Sequence, residues 1–338
     1  MGLFQKIIDL VKEELLDEPK KPAKKSGSQK ASTSKPKGDS FEQLCAKAKS
    51  GDLAAQYNLY DQYADKADKR EALEALFTEM MNNGDVEGKG LLACLLISQP
   101  EKSALANKLA TEALNEGALF VLVMNGFFYA NPKGLRRDWN PEVSDKRLII
   151  CPVNSSQAVA LLEKAAQKLE TCSLEVQSTY SLVYGYLSYC YGFLHNDSEE
   201  YKYAFKGSEL NDSIANMKMF EGYLWGDGKF EKNIDFAQAY AKKVEKQIEK
   251  LVPALQARFY SEMASMYFNA PFNNEEKTFD YQEKAANLGS AGAMAVISKW
   301  YEFGRVVNKD IDEALSWRNK ATTAGYNWSN NSVPDGCI

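Results

Sequence analysis

The chain has 338 residues, 26% of them charged and 45% hydrophobic, with six Cys, one His and a net charge of −5. This is the composition of an ordered globular protein long enough to bury a large core, which sets aside fibrous and wholly disordered classes. One histidine, His195, is too few for an ordinary metal centre, which draws several His, Cys or carboxylate ligands at close spacing.

Residues 3–17 place Leu3, Phe4, Ile7, Ile8, Val11 and Leu15 at helical spacing, with Asp9, Lys12, Glu13 and Glu14 opposite. We read residues 1–18 as an amphipathic helix, with Phe4, Ile7, Ile8, Val11 and Leu15 as its docking face. Three roles stay open for it: docking into a partner's groove, packing back on its own body, or lying on a membrane. Its five acids against two Lys disfavour anionic lipid, and Lys6 stands where a myristoylation signal from Gly2 needs Ser or Thr. Residues 19–39 follow as a Lys, Ser and Pro-rich flexible linker. Seven Lys and no acid fall between Pro19 and Gly38, which leaves the remainder acidic. An acidic body lacks the clustered cations of a nucleic-acid groove, so no nucleic-acid partner is expected.

From residue 40 to 328 the pattern is uniform: helix-length amphipathic segments, short Gly or Asn breaks, no sustained two-residue alternation. Gly51-Asp52-Leu53-Ala54 recurs as Gly84-Asp85-Val86-Glu87 after 33 residues, and Gly117-Ala118-Leu119 comes 33 further on. Gly289-Ser290-Ala291 and Gly325-Tyr326-Asn327 lie 36 apart. Each interval holds two helical patterns, the last being roughly 291–303 and 311–323. Ala293, Ala314 and Ala321 are small because packed helices approach to about 8–10 Å. Gly289 and Gly325 can adopt the left-handed conformation that ends a helix. Ile297, Tyr301, Leu315 and Trp317 are expected to fill the seam.

The segment Ala293-x-x-x-Ile297-Ser298-x-x-Tyr301-x-x-Gly304-x-Val306, followed by Asp310, Ala314, Trp317, Lys320-Ala321 and Gly325, resembles a Sel-one-like repeat (SLR), a variant of the tetratricopeptide helix pair. Ala215-x-x-x-Met219-x-x-x-Tyr223-x-x-Gly226, with Ala237 and Tyr240, resembles a second. Ser298 and Phe220 replace the family's usual Gly. Weaker copies fall at 51–83, 84–116, 117–169, 173–211 and 253–288. The resemblance implies an all-α, right-handed superhelix (solenoid) of about seven antiparallel helix pairs, ending in a tail at 329–338. It also implies a non-catalytic scaffold or adaptor that holds protein partners on the inner faces of its first helices. Proteins of this kind also serve as bacterial immunity factors, and an inhibitor of one basic toxin is the alternative reading.

Three features break the regularity. Residues 130–154 form an insertion with Arg136, Arg137 and Trp139, residue types favoured where interfaces concentrate their energy. The stretch from Tyr180 to Phe193 is crowded with Tyr. We expect Tyr180, Tyr184 and Tyr191 to share one helix face and to offer contact area to a partner; Tyr186, Tyr189 and Phe193 form the other face. Trp225 and Trp300 are expected in the seam.

Catalytic chemistry finds little support. Gly84-Asp85-Val86-Glu87-Gly88-Lys89-Gly90 lacks the Lys-Ser/Thr of a phosphate loop and follows no strand. A hydrolase using Cys190 or His195 is the third and least supported class. No metal or cofactor is expected. Unpaired Cys, the absence of a signal peptide and the lack of any run near ~18 apolar residues point to the cytoplasm.

Overall fold

The computed structural model describes residues 39–97, 99–130, 154–251 and 253–328. Those residues form sixteen α-helices and two short 3-10 turns, with no β-strand. After α1 (Phe41–Lys49) come α2 (Leu53–Tyr63), α3 (Arg70–Asn82), α4 (Val86–Leu96), α5 (Ser103–Asn115), α6 (Leu119–Ala130) and α7 (Ser155–Glu170). A short α8 (Leu174–Thr179) precedes α9 (Leu182–Phe193), α10 (Asp197–Glu209), α11 (Ser213–Trp225) and α12 (Ile234–Glu245). The last four are α13 (Pro253–Phe268), α14 (Glu275–Asn287), α15 (Ala291–Phe303) and α16 (Ile311–Thr323). Leaving aside α1 and α8, these make seven two-helix units, each an A helix followed by a B helix. The A helices are α2, α4, α6, α9, α11, α13 and α15.

One device starts the A helices. A residue in the left-handed region turns the chain, and a short polar side chain then caps the helix. Gly51, Gly84 and Gly289 hold φ near +87°, +83° and +96°. Asn211 does the same at +59°, as Asn can. Next in sequence, Asp52, Asp85 and Asp212 each accept two backbone N–H groups of the following helix, and Ser290 accepts one. Gly117 is followed by Ala118, which cannot cap. The Glu87 carboxylate of α4 substitutes, accepting from Leu119 N at 2.5 Å and Phe120 N at 3.0 Å.

A second device starts the B helices. In five units the carbonyl of a Tyr near the end of helix A accepts the backbone N–H of the B-helix cap. The pairs are Tyr129–Asn154 (2.9 Å), Tyr191–Asn196 (3.0 Å), Tyr223–Asn233 (2.8 Å), Tyr267–Asn274 (2.8 Å) and Tyr301–Asp310 (3.0 Å). Seven residues past the cap stands a second aromatic in four of the five, the exception being Leu161 after Asn154. Tyr203, Tyr240 and Tyr281 stack on Tyr191, Tyr223 and Tyr267 with centroids 5.7, 5.8 and 5.5 Å apart. Trp317 holds that position in the last unit. Each such ring pair adds about 0.5–1.5 kcal/mol beyond its burial.

The chain divides into two compact units. The first holds the described residues through Val121 together with Thr171–Tyr180. In it α1 packs on α2, α3 on α4 and α4 on α5, while α8 lies against α2. The second holds the described residues of 122–170 and those from Ser181 onward. In it α7 packs on α9 and each later A helix on its own B helix. Small residues set the spacing here: a Cβ at Gly207 of α10 would stand 2.6 Å from that of Ala215 in α11. Ala293, Ala314, Ala321, Ile297 and Trp317 are buried as expected, but Leu315 is half-exposed, because it lies on the outer side of the last described helix.

No helix of the described residues is long and apolar enough to cross a membrane. Cys45, Cys94, Cys172 and Cys190 are free thiols.

Candidate functional site

In the second unit, α9, α11 and α13 pack side by side. The inter-repeat register puts Phe193 and Trp225 at the same place on α9 and α11, two residues after Tyr191 and Tyr223; Phe303 holds it on α15 after Tyr301. The Tyr rings turn inward to their partners. Phe193, Trp225 and Phe303 turn outward and are 62, 48 and 55% exposed. Just past α13 the equivalent residue is Asn269. One turn earlier stand Tyr189, Glu221 and Lys299, so Tyr189 meets the Phe193 ring edge-on at 4.9 Å and Lys299 lies 5.6 Å from the Phe303 ring.

Two adjoining concavities open between these helices and share Lys218, Glu221 and Arg258. The first is open and mostly apolar, walled by Tyr189, Ile214, Met217 and Leu255. The second has Trp225 and Phe230 as its apolar walls and adds Glu200, Asp227 and Glu262.

Glu221 is the pivot. It is only 8% exposed. Arg258 Nη2 donates to its Oε2 at 2.9 Å, and Arg258 Nε lies 2.7 Å from Oε1. Burial pushes the Glu221 carboxyl above its ordinary range; Arg258 and Lys218 oppose that shift, and Glu262 adds to it. Lys218 forms an ion pair with buried Glu200. The Trp225 indole Nε1 donates to Glu262 Oε2 at 2.8 Å, which holds the ring in place. Burial, opposed by Arg258 and helped by Cys190 and Glu221, raises the Tyr189 phenol.

The structure corrects the reading of the Tyr-rich stretch. Tyr180 does not share a helix with the others: it ends α8, and its buried ring sits 4.8 Å from that of Tyr57. Tyr184 is fully buried, and Tyr191 is stacked on Tyr203 with its hydroxyl donating to Glu163 at 2.6 Å. These three fill seams. The open face carries Tyr189 and Phe193 instead, while Tyr186 packs on Phe127 at 4.0 Å. The Trp pair also divides. Trp300 is buried as expected, whereas Trp225 is a surface residue, since it is the last residue of α11 before the left-handed Gly226 and no B-helix ring covers it. A signal for this was present: the triplets Tyr191-Gly192-Phe193, Tyr223-Leu224-Trp225 and Tyr301-Glu302-Phe303 repeat one pattern.

The remaining expected contact residues lie outside the described residues. They are Arg136, Arg137 and Trp139 of the insertion and Phe4, Ile7, Ile8, Val11 and Leu15 of the N-terminal segment. For the nucleophile reading, Cys190 is fully buried and burial pushes its thiol up to about 12, the reverse of an activated cysteine. His195 is exposed in the turn between α9 and α10.

No family model matches the chain, and no curated protein matches it. Among solved structures it is similar to a Sel1 repeat protein from Oxalobacter formigenes, at 19% identity and a TM-score of 0.44, over 75% of this chain and 85% of that one. It is also similar to a protective antigen of uropathogenic Escherichia coli strains with an SLR fold, at 17% identity and a TM-score of 0.41, over 86% of this chain. The chain spans 65% of that antigen's length.

Proposed function

We propose that this chain is a non-catalytic, protein-binding repeat scaffold, and that it holds its partner on the A-helix face of the second unit. The observation that carries this reading is the outward column of Phe193, Trp225 and Phe303. Seam aromatics such as Tyr184, Tyr191 and Trp300 are buried, whereas these three rings keep about half or more of their surface in water at one register. Exposed aromatics of this kind supply contact area at small entropic cost when a partner covers them. The adjoining concavities would take individual side chains of that partner.

A dedicated inhibitor with one basic target is the second reading, favoured by the surplus of carboxylates around Trp225. The free thiols fit a reducing compartment, and the cytoplasm is the location that goes with either reading. Affinity selection from a random peptide-display library tests the scaffold. Peptides should enrich on the native chain and not on the Phe193→Ser/Trp225→Ser/Phe303→Ser variant, whose thermal melt should match the parent. Equal enrichment on both, or none on either, would refute the proposal.

A further inference from the structure

Resting on that reading, we infer that the double concavity on α9, α11 and α13 takes a basic peptide segment: one Lys or Arg side chain on the Trp225 ring beside Glu262 and Asp227, and an apolar neighbour in the cavity walled by Tyr189, Ile214, Met217 and Leu255. The assignment follows from which charges are already matched. The cavity's two cations are each committed: Lys218 to Glu200 and Arg258 to Glu221. What stays open to a ligand is negative. Asp227 is exposed, Glu262 is half-buried at the rim, and only one Glu262 oxygen is occupied, by the indole N–H. That hydrogen bond also fixes the Trp225 ring as a platform, and a cation over an indole face gains from the ring quadrupole. An acidic ligand would meet the surplus carboxylates, and the two cations that could attract it already share their charge with buried carboxylates, Lys218 with Glu200 and Arg258 with Glu221. The pairing is therefore selective as well as attractive. The adjoining apolar hollow, which shares Lys218, Glu221 and Arg258, gives a neighbouring side chain an apolar surface to lie against.

The indole N–H signal of Trp225 in a ¹⁵N spectrum of the full-length protein reports on this site, and a Trp225→Phe variant assigns it. The probes are acetylated Gly/Ser peptides carrying one Leu and two Lys, with matched peptides in which Glu replaces both Lys. The Lys peptide should move the signal saturably, more tightly at low salt. Glu262→Gln and Asp227→Asn should each weaken it about five- to tenfold, the loss of one close charge contact, and Met217→Trp should block the Leu. The Glu peptide should not bind. Equal binding of the two peptides, or no shift with Lys, overturns the inference; so does display enrichment of acidic sequences that depend on Phe193, Trp225 and Phe303, an outcome that leaves the scaffold reading intact. A third arm replaces the seven Lys between Lys20 and Lys37 with Ser in the full chain. An unchanged Trp225 signal supports a separate partner. A moved one makes the chain's own Lys-rich segment the occupant and overturns the partner assignment.

Discussion

Removal of the Arg258 guanidinium isolates a buried carboxylate, and its cost should depend on pH in a specific direction. Arg258→Met keeps most of the aliphatic stem. In water-excluded pairs such a loss costs about 3–5 kcal/mol. Here the Arg258 side chain is 50% exposed and Lys218 also favours the charged form of Glu221, so solvent and Lys218 reduce the figure to about 1–2 kcal/mol. Glu221 already has its folded pKa raised by burial, and the variant raises it further. A raised carboxyl makes the folded state bind more protons than the unfolded one, so the destabilisation is complete above the folded pKa. It disappears as pH falls toward the unfolded value of about 4.3. Urea unfolding followed by tryptophan fluorescence should show the full deficit at pH 7.5 and a smaller one at pH 5. Adding Glu221→Gln should recover most of the loss at pH 7.5. An equal deficit at both pH values, with no recovery in the double variant, would mean that Arg258 acts through packing and that the charge analysis of the groove is wrong.

Further outcomes follow from the geometry. Gly207→Ala should lower stability by about 1–3 kcal/mol through overpacking against Ala215 and Tyr184. Gly292→Ala, with no atom near its new methyl, should hold or raise it by up to about 1 kcal/mol; thermal melts compare the two. Asp212→Ala removes the acceptor for Ile214 N and Ala215 N and should cost about 1–2 kcal/mol, most of it restored by Asp212→Ser. Glu87→Ala should speed amide exchange at Leu119 and Phe120, while Glu87→Gln restores part of the protection, as hydrogen-exchange mass spectrometry would show. In a brief maleimide pulse on native protein, Cys45 and Cys172 should label while Cys94 and Cys190, both buried with raised thiols, should not. Peptide mapping of the adducts decides it.

The helix pairs were legible because their starts are written in short polar and glycine signals: Gly51-Asp52, Gly84-Asp85 and Gly289-Ser290 mark the A helices whatever happens between them. The B-helix starts were harder to read. Asn196 lies five residues after Tyr191, Asn233 ten after Tyr223 and Asn154 twenty-five after Tyr129, so no fixed spacing exposes a bond that forms only when the chain returns to the same carbonyl. The site was misread for a related reason. Tyr180, Tyr184, Tyr191 and Trp225 look alike as aromatic residues, and their exposure is decided by which ring covers them, Tyr57 for Tyr180 and a B-helix ring for Tyr184 and Tyr191. Tyr203 covers Tyr191; no ring comes to Trp225.

The same closure explains why function can collect at particular places in so regular a fold. Because the hydrogen bond from the cap N–H to the Tyr carbonyl fixes where the chain leaves helix A and where it enters helix B, the residues between are free to vary in number without disturbing the seam. The span from Tyr129 to Asn154 uses that freedom most, and it is the longest of the five. The position two residues after each Tyr sits outside the closure, and its side chains stay about half exposed or more, although Trp225 bonds Glu262 of α13. Side chains there are released from the packing requirement that governs Tyr191, Tyr223 and Tyr301. Phe193, Trp225 and Phe303 nevertheless remain aromatic at that position. A requirement other than the chain's own stability is the physical account of that choice. It puts the burden of the functional proposal on a substitution series at these three residues: Ser in place of all three should leave the melting curve where it is and remove peptide binding. A large fall in stability would show instead that the rings serve the fold.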